Sequence, residues 1–416
     1  TILAGADPND EDGDGISGRA NFEQGEVGKF GYKSQAATLE SFNRGAILNQ
    51  MGITSDPLFY VFPELIEEEA AWRSLKPLSP LSWLAEARAQ VSAPDEPTVD
   101  DDDVPDPEIS NEDQLDLLIF STYVAAPRPS EFGDTEHQGE RAFAELGCAD
   151  CHQPTLDSVV GPIRAYTDLL LHDMGEELAD GIAVGFATGS EFRTQPLWGV
   201  ALHGPYLHDG RASSLREAIE LHGGEAAASR ERWLQANADQ QESVMAFLRA
   251  LGGKESQSNF IQDSDVYPDP GSPGGPLLSL TVEQVELWNR GRVLFDVNVP
   301  PKDGLASHFN ADSCRACHQD PVIGGAGGLD VNVIRYGYRD LDDGSYVSLP
   351  DKILERVSSW GYMPERIDQQ ANIIEMRNPP TVLGIGLIES ISQASIVALA
   401  DPEDEDGDGI SGRPSW

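Results

Sequence analysis

The chain has 416 residues, and at roughly 100–200 residues per domain it should form two or three domains with sizeable cores, which excludes a single small disulfide scaffold. Hydrophobic residues make up 39%, yet no stretch approaches the roughly 20 uncharged apolar residues of a membrane-spanning helix, so no span is expected. Asp and Glu number 71 against 28 Lys and Arg, and the formal charge of -43 argues against nucleic acid or anionic membrane as partners. Cationic partners and divalent ions stay open, although such an acidic excess is most often a solvated surface.

The first segment, 1–91, carries an acidic loop at 7–19, DPNDEDGDGISGR. Alternating carboxylates at Asp10, Asp12 and Asp14, followed by Gly15 and the backbone of Ile16, match the first half of an EF-hand-type calcium loop. No Glu closes the loop, so an acidic Gly-rich turn without a specific ion is the competing reading. An acidic insertion follows at 92–113, with the run Asp100–Asp103 among prolines.

Residues 114–251 read as a small cytochrome c-like unit. An amphipathic helix over 135–147, with Gly139 and Phe143, runs into Cys148-Ala-Asp-Cys151-His152. Ser213 or Ser214 can cap a helix over Leu215–His222, and Asp239–Leu251 forms an amphipathic helix stopped by Gly252-Gly253. The first and last of these helices are available to cross. A Gly-, Pro- and Ser-rich linker spans 252–280.

The last segment, 281–416, repeats the pattern. Thr281 and Gln284 form a capping box, Gly291 and Phe295 repeat the spacing of Gly139 and Phe143, and Cys314-Arg-Ala-Cys317-His318 follows. The acidic loop recurs at 401–413 as DPEDEDGDGISGR, differing only at Asn9 and Glu403, with Asp404, Asp406 and Asp408 as the second set of calcium candidates. The expected fold class is therefore all-α: two cytochrome c-like haem modules with long loops and acidic calcium-type loops.

All four cysteines lie in the two Cys-x-x-Cys-His strings, leaving none for a disulfide. In this pattern the thiols add across the two vinyl groups of haem, and the adjacent His becomes the proximal iron ligand. Two such strings by chance are improbable, since even one has a probability on the order of 10⁻³. A zinc knuckle would need further Cys or paired His close by, and a redox dithiol is the remaining alternative. Two covalent haem c groups are expected, with iron on His152 and His318. Thioether attachment occurs outside the bacterial inner membrane, so the location expected is periplasmic or extracellular, and the lack of a signal segment at Thr1 suggests a processed or trimmed chain.

Beyond these motifs, the chain resembles a family. Phe192-Arg-Thr-Gln-Pro-Leu-Trp198, Gly204-Pro-Tyr-Leu-His208-Asp-Gly-Arg211 and Ser214-Leu-Arg-Glu-Ala-Ile-Glu-Leu-His222-Gly-Gly224 look like the second haem domain of bacterial di-haem cytochrome c peroxidases. Tyr166-Thr-Asp-Leu-Leu-Leu-His172-Asp-Met-Gly175 and the DGDGISGR loop narrow the resemblance to the di-haem thiol-oxidoreductase/peroxidase branch. The order departs from the family: 261–416, with Arg377-Asn-Pro-Pro-Thr381, resembles the first half and 1–260 the second. A permuted chain, a slice of a tandem array, or completion of each chain by a neighbouring copy all fit that order. Two acidic loops favour the last two.

The resemblance implies roles for single residues. His222 stands where the family places a distal ligand of the His152 haem, with His208 as runner-up nearer the haem edge and His172 as a neighbour of the ligands. For the sixth position on the His318 haem the candidates are His308, Met363 and Met376. Glu40, in Ala37-Thr38-Leu39-Glu40, resembles the distal acid that moves a proton between peroxide oxygens; an ordinary first-turn helical Glu is the alternative. Gln35 replaces the usual Arg of that region. Trp198 and Trp360 could shorten an electron path, or be core. The implied function is a peroxidase-like di-haem oxidoreductase served by a redox partner protein. The alternative is a non-catalytic electron-transfer cytochrome whose copies join end to end into an oligomer or filament.

Overall fold

The computed structural model describes residues 22–23, 26–58, 98–100, 104–158, 160–252, 267–277, 280–341, 344–347, 349, 353–358, 367–400 and 410–413. The six calcium candidates Asp10, Asp12, Asp14, Asp404, Asp406 and Asp408, together with Trp360, Met363 and much of the 252–280 linker, lie outside them.

The helices are α1 (Leu39–Met51), α2 (Asn111–Tyr123), α3 (Asp134–Glu145), α4 (Leu215–Glu220), α5 (Ala227–Gln235), α6 (Ala238–Ala250), α7 (Val282–Asp296), α8 (Cys314–Cys317), α9 (Ile385–Glu389) and α10 (Gln393–Val397). Their starts follow from side-chain caps that satisfy otherwise orphaned amides. Thr38 accepts from Ser41 N to open α1, Ser214 from Glu217 N to open α4, and Thr281 with Gln284 forms a capping box for α7. Gly52, at φ 70, ends α1 in a left-handed turn that costs glycine little.

Two helix pairs have the same crossing. α3 lies on α6, and a Cβ at Gly139 would run into the Ser243 carbonyl oxygen. α7 lies on α2, and a Cβ at Gly291 would run into the Asp116 carbonyl oxygen. Each glycine lets two backbones touch, and a phenylalanine one turn later, Phe143 or Phe295, fills the core beside the crossing. The partner of α7 is thus a helix from far upstream. α2, placed by sequence at the head of the first cytochrome-like unit, closes the second module.

The all-α expectation is corrected by ten short strands among the described residues. β3 (Leu171–Asp173) pairs antiparallel with β4 (Glu191–Arg193). β6 (Val333–Arg339) is flanked by β10 (Ile373–Arg377), β7 (Tyr346–Val347) and β8 (Ile353–Leu354) in a four-stranded sheet. Further two-residue pairs join β1 (Phe22–Glu23) to β2 (Glu26–Val27), and β5 (His308–Phe309) to β9 (Val357–Ser358). The physical reason lies in segments such as Val333-Ile-Arg-Tyr-Gly-Tyr-Arg339: β-branched and aromatic residues without a helical period pair across strands.

Three apolar clusters form the core. One belongs to the first module, around Phe143, Tyr166, Trp233 and Phe247. A second, around Phe120, Trp288, Phe295 and Leu383, belongs to the other. The third joins Phe30, Leu39 and Leu58 to Leu169, Trp198, Ile388 and Ile396, and so binds the early segment to both modules. Hydrogen bonds follow the same seam: Leu39 N donates to Glu389 Oε2 at 2.8 Å, Tyr32 Oη to Asn378 O at 2.9 Å, and Asn310 N to Gln50 O at 2.8 Å. The two halves of the split order therefore meet inside one chain.

Two candidate haem sites

At the first site α3 ends at Glu145, and Gly147, with a φ of 82, turns the chain into Cys148–His152. His152 N donates to Cys148 O at 3.0 Å, and the imidazole Nδ1–H donates to Tyr166 O at 2.9 Å. That bond leaves Nε2 with its lone pair, the form a metal ligand requires. Burial pushes the His152 pKa down to about 4, so the ring is neutral at ordinary pH. His222, two residues past α4, is held alike: its Nδ1–H donates to Ala218 O at 2.7 Å, and burial lowers its pKa. Charge on His222 further depresses that of His152, which puts the two rings in one neighbourhood.

His172 is engaged differently. Its Nε2 lies 2.9 Å from Asp168 Oδ2 and its Nδ1 2.8 Å from Glu225 Oε2, so both nitrogens donate. Burial opposes charge there, but the Cys151 sulfur and the Asp168 carboxylate outweigh it and hold the ring protonated. A doubly donating imidazolium has no lone pair for iron. His208 stacks on Phe192, ring centroids 4.3 Å apart, and burial pushes its pKa down to about 4. It sits 6.5 Å edge-on from Tyr32.

The alternatives for the cysteines can be weighed here. Burial raises the thiol pKa of Cys148 to about 12 and that of Cys314 to about 12, and it raises Cys151 and Cys317 as well. Redox nucleophiles are thiolates, which this burial disfavours. Cys151, Asp168 and His172 do bring ligand atoms within 4.8 Å of one another, but His172 is already committed to two carboxylates.

At the second site α8 carries Cys314 and Cys317, and His318 caps it, with His318 N donating to Cys314 O at 3.1 Å. The imidazole Nδ1–H donates to Pro380 O at 2.9 Å, and burial lowers its pKa. Phe295 lies 6.2 Å from His318 at 53°, as Phe143 lies 6.2 Å from His152 at 57°. The modules are therefore duplicates down to the ring beside each histidine.

A cavity of about 410 Å³ opens on Cys314, Cys317 and His318, within the roughly 300–1,000 Å³ typical of cofactor pockets. Its other walls come from α1, through Phe42, Gln50 and Met51, and from Tyr32, Lys33, Gln35, Arg335 and Arg377. Every ionisable side chain on the wall other than Tyr32, His318 and the two thiols is a cation; no Asp or Glu lines it among the described residues. Burial lowers the pKa of Lys33 well below the usual lysine value, lowers that of Arg335, and brings Arg377 to about 10. Arg377 Nη1 and Arg335 Nε are buried without a hydrogen-bond partner. Asp180, behind the wall, pairs with Lys33 at 3.3 Å and with Arg377. Buried basic groups around two thiols and an imidazole, with Arg377 Nη1 and Arg335 Nε still lacking a hydrogen-bond partner, suit a flat cofactor with carboxylate arms, and haem is such a group.

Several expected site residues stand elsewhere. Glu40 is buried but turns away from this cavity: its Oε1 accepts from Leu58 N at 3.2 Å and Gln114 Nε2 at 3.1 Å, and Arg44 lies 3.9 Å off. His308 in β5 and the half-exposed Met376 in β10 do not line the cavity either. Gln35 does. Lys33, Met51 and Arg335 are wall residues that sequence reasoning passed over, being two single cations and a methionine outside any motif, whereas Arg377 stood in the Arg377–Thr381 motif without a role of its own.

Residues 1–251 match the family model described as "Di-haem oxidoreductase, putative peroxidase". Over 131 residues, 30% of this chain, it is 29% identical to Cytochrome c551 peroxidase of Pseudomonas aeruginosa. That alignment covers 36% of the relative, so the chain spans about a third of it. No solved structure matches significantly. Among the described residues no helix is long and apolar enough to cross a membrane.

Proposed function

Since the chain belongs to the di-haem oxidoreductase family, we propose that it is a periplasmic c-type cytochrome. One haem is bound through Cys148, Cys151 and His152, the other through Cys314, Cys317 and His318. Bound haem supplies one-electron redox chemistry at iron. The protein's part is to differentiate the two sites.

The observation that carries this reading is the unequal supply of imidazoles. The first site has two rings, His152 and His222, each with Nδ1–H on a backbone carbonyl and Nε2 left over. The second has, among the described residues, His318 alone on the cavity wall. The first site is thus built to be closed on both faces and to relay electrons, and the second to admit a small oxidant such as a peroxide. Gln35, Asn43 and Gln50 on the wall can hydrogen-bond such a ligand. As no carboxylate among the described residues lines that wall, Glu40 has no direct role in this reading.

Carbon monoxide titration of the fully reduced holoprotein tests the reading. One CO per chain is expected, rising to two in His222→Ala; zero or two in the unaltered protein would overturn the division of roles.

A further inference from the structure

The end of the second acidic repeat, residues 410–413, is seated in a slot of the first module. Arg413 pairs with Leu171 of β3 in a single antiparallel bridge: Leu171 N donates to Arg413 O at 2.7 Å and Arg413 N to Leu171 O at 3.2 Å. Ser411 donates twice to Glu225, N to Oε2 at 3.1 Å and Oγ to Oε1 at 2.8 Å. The Arg413 Nη1 donates to Glu191 Oε1 at 2.9 Å, both side chains being buried. Between them Gly412 has no room for a side chain, since a Cβ would lie 2.6 Å from Leu170 Cδ1 and 3.1 Å from His172 Cε1. The slot therefore reads Ser-Gly-Arg residue by residue.

The chain contains that key twice. Ile16-Ser17-Gly18-Arg19 is identical to Ile410-Ser411-Gly412-Arg413, each at the end of the same acidic repeat. The chain that follows the first copy runs beside the slot: Arg193 of β4, the strand paired with β3, donates from Nη1 to Lys29 O at 2.9 Å and from N to Tyr32 O at 2.8 Å. The ten residues from Arg19 to Lys29 can reach about 33 Å when extended, whereas two strand spacings measure only about 10 Å.

We propose that Leu171, Glu191 and Glu225 form a peptide-docking slot for Ile-Ser-Gly-Arg that either repeat of the same chain can fill, the two exchanging on it. The occupant covers the His172 ring and Glu225, which stand against Cys151, so the slot governs how far that edge of the first site meets water.

Hydrogen–deuterium exchange of the full-length holoprotein, read at the peptide containing Leu171, tests this. Arg413→Ala alone and Arg19→Ala alone should leave protection within a small factor of the unaltered chain, because the other copy takes over. The double variant should exchange at least roughly tenfold faster, having lost the Leu171 partner. Loss of protection in Arg413→Ala equal to that of the double variant, or retained protection in the double variant, overturns the proposal. A measurement that removes no contact covers the case of an unstable double variant: a photo-reactive benzoylphenylalanine is placed at Ile16 or at Ile410. Cross-links from both positions to peptides around Leu171 or Glu225, at monomer mass, support exchange within one chain. Cross-links from position 16 that are absent, or found only at dimer mass, overturn it.

Discussion

The indole Nε1–H of Trp198 donates to the carbonyl oxygen of Leu383 across 3.1 Å, and Trp198 lies in the apolar cluster that joins the two modules. Upstream, Leu197 N donates to Ala165 O at 2.9 Å, next to the Tyr166 carbonyl that holds His152. On the other side, two residues separate Leu383 from the Pro380 carbonyl that holds His318. The two imidazoles are thus joined by backbone, one indole and four hydrogen bonds.

Trp198→Phe keeps the buried ring but removes the donor. Electron redistribution between the two sites, followed by transient absorption after partial reduction, should slow by roughly tenfold, or ~1.4 kcal/mol of barrier. The ferric and ferrous spectra of each site should be unchanged. An unaltered rate would mean that electrons bypass Trp198.

Covalent attachment is expected at both Cys pairs. The intact mass after acid–acetone extraction should exceed the polypeptide by two haems, and Cys317→Ala together with Cys314→Ala should reduce the excess to one. A protein that loses all haem on extraction would contradict thioether bonds.

Gly139→Ala and Gly291→Ala should each destabilise the fold by about 1–3 kcal/mol, because each added methyl overlaps a carbonyl across a helix crossing. Thermal unfolding monitored by far-ultraviolet dichroism reads the loss. Similar penalties at the two sites are expected from the duplicated geometry.

Stability should carry an acid limb from His208. Burial depresses its folded pKa to about 4, below an unfolded value near 6.5, so at intermediate pH the unfolded chain binds the extra proton. The contribution is fully present above about pH 6.5 and is lost as pH falls towards 4, amounting to roughly 3 kcal/mol at most. In His208→Phe, which can keep the stack on Phe192, urea unfolding should show a flatter decline over that window.

Short-range features were legible in the sequence. Both Cys-x-x-Cys-His strings place their histidines where a backbone carbonyl takes Nδ1–H, and the shared Gly-x-x-x-Phe spacing marks two like crossings. Such features need only one turn of helix or one loop. The cavity wall was not legible, because Lys33 and Arg377 meet across most of the chain and no local period announces a cation whose partner is distant. Glu40 shows the same limit in reverse. Its position in α1 could be read, but which face of α1 meets the cavity depends on Leu58 and Gln114.

The upstream origin of α2 has a consequence for how the chain comes off the ribosome. The helix that completes the second module is made about 170 residues before α7, the helix it embraces. It must wait, with Leu117, Phe120 and Tyr123 uncovered, while the whole first module is synthesised between them. Folding of the first module alone can be finished in that interval, whereas the second becomes possible only once α7 emerges. A fragment beginning at the 252–280 linker would contain Cys314, Cys317 and His318 but lack the α2 surface on which Trp288 and Phe295 pack.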